Sequence, residues 1–459
     1  MKNNFKYHIG NNNSLMFIYD NLKLSSAPGR NMLMNTYLIT DRFQLKLELE
    51  FLAYTFQFYT EKLSPSDLND IALRLHSFKD IKATLENLKN KSTVLDDIQL
   101  FEIKNFVIIK KQIATILESK GFDIFEFHNA DEILSILDPD NTGENSFYIY
   151  SSYSERLQEL RKELSNVNID NSEKDEEIRL KCIEEEDKIR LKLSKKLRNF
   201  EDILSQNFKR LAHFDILLAK SILIDEFNLC EPQLYDKIEY RELFNPYVKS
   251  ILKEKGRKYQ PIDISLENQP VLITGANMSG KTVLLRTLAL SQLMFQFGFY
   301  VPAESANMIL FDDIVLNIGD QHNELNGLSS FAVEMTNINQ IIVESKKGTR
   351  IFALVDELAR TTNPVEGKLL VSAFIEMMRK YNVCSPITTH YSGIKAECKR
   401  LRVKGLSNIS ESDKITVENI NDFMDYSLSE VNTDSVTNEA IRIAEILGVD
   451  EEYLGLIKK

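Results

Sequence analysis

Between residues 41 and 247, apolar side chains recur at three- and four-residue spacing with few prolines or glycines between them, which predicts long helices. From Ile98 to Ser119, for example, Phe101, Ile108, Ile109, Ile113, Ile116 and Leu117 fall on one broad helical face. Ser64-Pro65 and the run Asp138-Pro139-Asp140-Asn141-Thr142-Gly143 interrupt the pattern, because Pro and Gly stop a helix. From about Ile264 the texture changes. Short apolar runs at Pro270 to Ile273, Ile351 to Val355 and Ile387 to Thr388 alternate with helical stretches, the signature of an α/β domain with a mainly parallel sheet. Residues 1–40, rich in Asn and Ser with a turn-like Ala27-Pro28-Gly29, carry no strong period and receive no assignment.

The stretch from about 171 to 207 mixes charges of both signs, with Glu-first pairs four apart at Glu177 and Lys181, Glu184 and Lys188, and Glu186 and Arg190. Ile178, Cys182, Ile189, Leu193, Phe200 and Leu204 form a narrow seam at near coiled-coil spacing, interrupted by Glu185 and Lys196. A protruding arm with little globular core is the simplest expectation; a surface helix of a bundle is the alternative. Thr437 to Lys459 reads as two short helices, Gly448 ending the first and Asp450 starting the second.

Composition narrows the setting. A chain of 459 residues suggests two or three domains. No run of about 18 apolar residues occurs and the first ten residues are polar, so neither a membrane span nor a secretory signal is expected, and the expected location is the cytoplasm. Cys182, Cys230, Cys384 and Cys398 show no C-x-x-C pairing and suggest reduced thiols rather than a zinc site. A net charge of −12 gives no global attraction to nucleic acid, although a local basic patch suffices for DNA.

Chemistry enters at Gly275-Ala276-Asn277-Met278-Ser279-Gly280-Lys281-Thr282, which fits G-x-x-x-x-G-K-S/T directly after the apolar run Val271 to Thr274 and before the helical run Val283 to Met294. Such a loop wraps phosphate with backbone N–H groups at a helix N-terminus, Lys281 reaches the β and γ phosphates, and Thr282 can ligate Mg²⁺. These residues point to ATP and Mg²⁺. Ile351 to Val355 leads into Asp356-Glu357, where an acid at the strand end can hold Mg²⁺ and the following Glu can polarise water; alone, the pair would read as an ordinary helix cap. His390 ends Thr388-Thr389-His390 one strand further on, where a γ-phosphate sensor would serve. Gly319 to Met335 is a polar loop running into an amphipathic helix that Ser329 or Ser330 can cap.

In this order the pieces resemble the MutS family of ABC-type ATPases, whose members carry G-x-N-M-x-G-K-S/T, a Ser-Thr-Phe loop leading to a Glu-Met helix, Asp-Glu, and Thr-His. Gly298 to Ala303 and Arg210 to Ala219 extend the likeness. The resemblance implies an α/β P-loop ABC-type ATPase domain at 248–436, preceded by a mainly α-helical lever and coiled-coil arm region at 41–247 and followed by a dimerisation tail at 437–459. It also implies composite sites in a homodimer, with Lys281, Thr282, Asp356, Glu357 and His390 of one protomer facing Ser329 of the other. Asn277 would line the P-loop, and Tyr259 is a candidate to stack on adenine. In the family such closure moves the helical levers.

Two departures separate the chain from the mismatch-repair members. From the chain's length the N-terminal mismatch-reading and connector domains are not expected, and no Phe-x-Glu occurs in the first sixty residues. Asp356-Glu357-Leu358-Ala359-Arg360-Thr361-Thr362-Asn363-Pro364 stands where repair members carry Gly-Arg-Gly-Thr after the acids, so a stiffer turn is expected. No nuclease-like C-terminal extension is expected. Two clients are compatible with the pattern. One is duplex or branched DNA, gripped through the basic stretch Lys188, Arg190, Lys192, Lys195, Lys196 and Arg198. The other is a protein, since the Ala-Arg-Thr-Thr-Asn-Pro variant resembles reactivase ATPases of cobalamin-dependent lysine and ornithine aminomutases.

Overall fold

The computed structural model describes residues 3–166, 172–275, 279–317, 330–360, 362–406, 416, 419–431, 439–446 and 448–457. The chain forms two compact units, one of residues 1–22, 36–53 and 223–459 and one of residues 23–35 and 54–222. These limits differ from a division at 40/41 and 247/248, because 1–22, 36–53 and 223–247 join the C-terminal unit.

Among its described residues that unit holds ten strands: β1 Pro232–Leu234, β2 Ile238–Leu243, β3 Ile262–Leu266, β4 Pro270–Thr274, β5 Ser305–Met308, β6 Asp313–Asn317, β7 Ile351–Val355, β8 Ser385–Thr388, β9 Lys399–Leu406 and β10 Met424–Glu430. Six of them form a sheet in the order β10-β9-β4-β8-β7-β6, parallel except for β10 against β9. β4 and β7 lie inside this sheet and their residues are almost wholly buried, which accounts for their continuous apolar runs. The other four form a smaller mixed sheet, β1-β5-β2-β3.

The unassigned N-terminus folds as short helices whose signal is capping rather than period. Asn4 accepts the Tyr7 N–H to start Phe5–Asn11, and Asn12 accepts the N–H groups of Ser14 and Leu15 to start Asn13–Asp20. Phe5 packs edge-on against Phe297 at 4.9 Å and stacks near Phe299 at 6.0 Å. The buried Gln296 amide donates to the carbonyls of Ile39 and Phe311, tying residue 39 to the end of the helix Lys281–Gln296. At the other end of the chain, two short helices form at Glu439–Ile446 and Glu451–Ile457, and Asp450 caps the second by accepting the Tyr453 N–H.

The second unit is helical. Pro65–Ser77 and Asp97–Ser119 each begin with a capping box, and Phe78, Phe106 and Phe208 pack with ring centroids 5.1–5.8 Å apart. The helix Ser172–Leu197 departs from the expected protruding arm. Ile178, Cys182, Ile189, Leu193 and Leu197 are buried, Arg161 reaches Glu186 at 2.8 Å from the helix Glu155–Ser165, and Arg190 clamps both carboxylate oxygens of Asp97 at 2.8 and 3.0 Å. Ser194 accepts the Leu95 N–H, and Arg198 donates to the carbonyls of Leu88, Asn90 and Thr93. The seam and part of the charge pattern thus serve packing within a bundle. Of the helix pairs expected, Glu177 with Lys181 forms at 2.5 Å and Glu186 with Arg190 at 3.5 Å, whereas Lys188 pairs with Glu185 at 3.1 Å.

Among the described residues no helix is long and apolar enough to cross a membrane. The four cysteines are free.

Candidate active site

β4 delivers the phosphate-binding motif from the middle of the sheet to the start of the helix Lys281–Gln296. The flanking glycines are required by geometry. Gly275 has φ +151°, and a Cβ there would lie 2.8 Å from Ser279 Oγ; Gly280 has φ +81°, and a Cβ there would lie 3.1 Å from the Tyr426 ring. The helix that follows aims its first N–H groups and the positive end of its dipole at the loop. Lys281 is 5% exposed and its Nζ donates to the Gly275 carbonyl at 2.8 Å, so its charge is held over the loop.

β7 runs parallel beside β8 and ends at Asp356. Thr282 Oγ1 donates to Asp356 Oδ2 at 2.7 Å, while Thr388 Oγ1, at the end of β8, donates to Asp356 Oδ1 at 2.5 Å and accepts the Glu357 N–H at 3.0 Å. The carboxylate is therefore fixed from both sides. Glu357 follows in a left-handed conformation, φ +47°, with its carboxylate 3.3 Å from the Arg360 guanidinium.

A cavity of about 740 Å³ brings Ser279, Lys281, Thr282, Glu357, Arg360 and His390 together. Partial burial holds the His390 imidazole below its ordinary value, with Arg360 and Lys281 adding to the effect and Glu357 opposing it. Among the described residues the Ser279 hydroxyl is buried without a hydrogen-bond partner, an orphan that a phosphate oxygen would satisfy. Thr282 and Asp356 offer two hard oxygens on adjoining elements, the share that Mg²⁺ takes from a protein when phosphate and water complete its shell. No group of three His, Cys, Asp or Glu gathers as a metal site among the described residues. The residues present fit a nucleotide phosphate with Mg²⁺.

Four sequence candidates lie outside the described residues: Ala276, Asn277 and Met278 of the loop, and Ser329. Tyr259 does not line the cavity. Its hydroxyl accepts the Asn245 N–H at 3.0 Å, and burial raises its pKa. The aromatic ring lying against the P-loop glycine is Tyr426, on β10, which sequence reasoning missed together with Arg360 and the bridging role of Thr388. The turn after the acids is over-determined rather than merely stiff. Ala359 is held at φ +62°, its N–H donated to Glu334 at 2.9 Å and its carbonyl accepting the Tyr391 hydroxyl at 2.7 Å.

The sequence of residues 271–455, which contains every residue named as lining the cavity, matches the family description MutS domain V. Residues 271–455 are thus similar to the fifth domain of MutS-family proteins. It is 33% identical over 216 residues to Endonuclease MutS2 of Pediococcus pentosaceus, covering 46% of this chain and 27% of that protein. It is 31% identical over 219 residues to Endonuclease MutS2 of Thermus thermophilus, covering 48% of this chain and 28% of the relative. It is 30% identical over 211 residues to the DNA mismatch repair protein MutS of Thermus aquaticus, covering 46% and 25%. The chain thus spans about a quarter of the length of these relatives.

Proposed function

We propose that this chain binds ATP with Mg²⁺ in the Lys281 cavity and hydrolyses it as a homodimer of ABC-type ATPase domains whose closure drives the helical region. The observation that carries the reading is the convergence of Lys281, the Thr282–Asp356–Thr388 oxygen set and Glu357 on one cavity. Lys281 would neutralise charge on the β and γ phosphates, and Thr282 with Asp356 would hold the metal. The metal supplies charge neutralisation at the transferring group. Glu357, whose backbone N–H is held by the Thr388 hydroxyl, would orient and polarise the attacking water. His390, whose pKa burial lowers from its ordinary value, would hydrogen-bond a terminal phosphate oxygen. Ser329 of the partner subunit would complete the site on closure, coupling hydrolysis to dimer geometry.

The client we propose is DNA. The relatives are named an endonuclease and a DNA mismatch repair protein. This chain has a basic face at the end of the helix Ser172–Leu197, where Lys188, Lys192, Lys195 and Lys196 line a shallow groove with Asn199. Residues 188, 192 and 196 rise about 6 Å apiece along one ridge, a spacing suited to successive backbone phosphates. Lysines in the last turn also complement the helix dipole, which alone explains two of them.

Steady-state ATP hydrolysis by the full chain with and without Mg²⁺, and with duplex or branched DNA at low and physiological salt, tests both parts. Mg²⁺-dependent hydrolysis lost in Lys281→Ala supports the enzyme reading, and its absence in the wild type refutes it. Stimulation by DNA that fades with salt supports the client, whereas DNA-indifferent hydrolysis removes it.

A further inference from the structure

The helix Ser330–Lys346 touches the chain on both sides of the acid pair. Glu334 Oε1 accepts the Ala359 N–H at 2.9 Å, just after Glu357. One turn further along the helix, Asn337 Nδ2 donates to Asn317 Oδ1 at 3.2 Å, and the Asn317 carbonyl accepts the Asp356 N–H at 2.9 Å. Residues three apart share a helix face, so the two side chains form a fork whose prongs meet the chain before and after Glu357, the second through Asn317. Ile338 and Ile341, on the same side of the helix, are buried in one cluster with Val355, Leu358 and Ala359, which seats the helix on the strand and turn that carry the acids.

The turn that Glu334 grips is one that local preference would not select. Glu357 and Ala359 both have left-handed backbone, φ +47° and +62°, and neither is glycine. Such residues persist only where surrounding contacts impose the conformation. Glu334 supplies one contact, on the Ala359 N–H, and the Tyr391 hydroxyl supplies the other, on the Ala359 carbonyl. Gly367 leaves no space for even a Cβ against that hydroxyl, so Tyr391 is held from behind by the helix Pro364–Lys380. Tyr391 follows His390 directly in the chain, so Ala359 joins three parts of the site: the acid turn, the cavity histidine and the helix Ser330–Lys346.

We infer that Glu334, together with Tyr391, is a positioning residue for Glu357, and that through it the placement of the helix Ser330–Lys346 sets the aim of the hydrolytic carboxylate. The inference rests on the ATPase reading above and deepens it by naming how that site is regulated. Ser329, which immediately precedes this helix in the chain, is the residue proposed to enter the partner's site, while Glu334 on the helix holds the acid turn of its own protomer. Closure at one site thereby adjusts the other. Neither Glu334 nor Tyr391 lines the phosphate cavity, so losing either acts on turnover and leaves nucleotide binding in place.

The test is made on the full chain, with kcat and KM from steady-state hydrolysis of ATP with Mg²⁺ and ATP affinity from filter binding. The variants are Glu334→Ala, Glu334→Gln, Tyr391→Phe, Ser329→Ala and the double variant Glu334→Ala with Ser329→Ala; cooperative melting establishes that each folds. In Glu334→Ala kcat should fall about tenfold or more while KM and ATP affinity stay within about threefold of the wild type. Glutamine, whose amide oxygen still accepts the Ala359 N–H, should recover kcat to within about threefold. The double variant should be no slower than the slower single variant, because the two residues lie on one path. Tyr391→Phe removes only a hydroxyl, should lower kcat with KM unchanged, and carries the test if Glu334→Ala does not fold. Four results overturn the inference while the wild type remains an active ATPase. They are wild-type kcat in the folded alanine or phenylalanine variant, no recovery by glutamine, a loss of ATP affinity that matches the loss of turnover, and single effects that multiply in the double variant. A wild type that hydrolyses no ATP refutes the ATPase reading, and this inference with it.

Discussion

The Thr388 hydroxyl donates to Asp356 Oδ1 at 2.5 Å and at the same time accepts the Glu357 N–H at 3.0 Å, so one side chain of β8 sets both acids that follow β7. Thr388 is fully buried, and the register that pairs Val355 with Ile387 puts it there. Thr388→Val preserves shape but leaves the Glu357 N–H and an Asp356 lone pair unpaired. Unfolding by urea should show a loss of about 1–3 kcal/mol, and steady-state ATP hydrolysis should fall at least tenfold. Thr388→Ser should recover most of both. Wild-type hydrolysis by the valine variant would remove Thr388 from the site.

Glu357→Gln separates binding from hydrolysis. The amide keeps the size of the side chain and its reach toward the cavity but cannot accept a proton, so hydrolysis should drop by about 10²–10⁴ while ATP still binds. Filter binding of labelled ATP alongside single-turnover hydrolysis distinguishes the cases. Loss of ATP binding would mean that Glu357 acts on the phosphates rather than on water.

The phosphate loop was legible because its chemistry is contiguous: Gly275 to Thr282 needs only the strand before and the helix after. Asp356, Glu357 and His390 were legible as strand ends once that loop was known. Thr388, Arg360 and Tyr426 were not, since Tyr426 meets Gly280 only through the antiparallel return of β10 on β9 and no local spacing encodes that pairing. The N-terminal helices escaped for a different reason. At seven and eight residues they are too short for a period to show, and the asparagines that read as loop are their caps. The arm misled because an alternating-charge helix with a narrow seam has the same pattern whether its partner is absent or is, as here, Glu155–Ser165 and the Asp97 clamp on Arg190.

Phosphate contact by the basic face has a quantitative signature. Replacing Lys192, Lys195 and Lys196 together by Gln should reduce the steepness of log K against log salt for duplex DNA by about 2–3, at roughly 0.9 per phosphate released. The ATPase rate without DNA should stay as in the wild type. Fluorescence anisotropy of a labelled duplex across a salt series measures the slope. An unchanged slope would assign these lysines to helix-dipole complementation alone.

His8 should make the fold acid-sensitive. Burial lowers its pKa from 6.5 to about 4, so the unfolded chain takes up a proton as pH falls through 6.5 while the folded chain does not until near pH 4. The unfolded state thus binds more protons in that window, and stability present above pH 6.5 is lost progressively down to pH 4. Between pH 7 and pH 5 the loss from this one group is on the order of 2 kcal/mol. Carboxylates titrate over part of the same range, so the measurement is a difference: urea unfolding of the wild type and of His8→Phe at both pH values. The variant should lose less stability than the wild type by about that amount, because phenylalanine keeps the packing on Phe297 and has nothing to protonate. Equal losses would mean that His8 is reached by water or by a partner that stabilises its charged form.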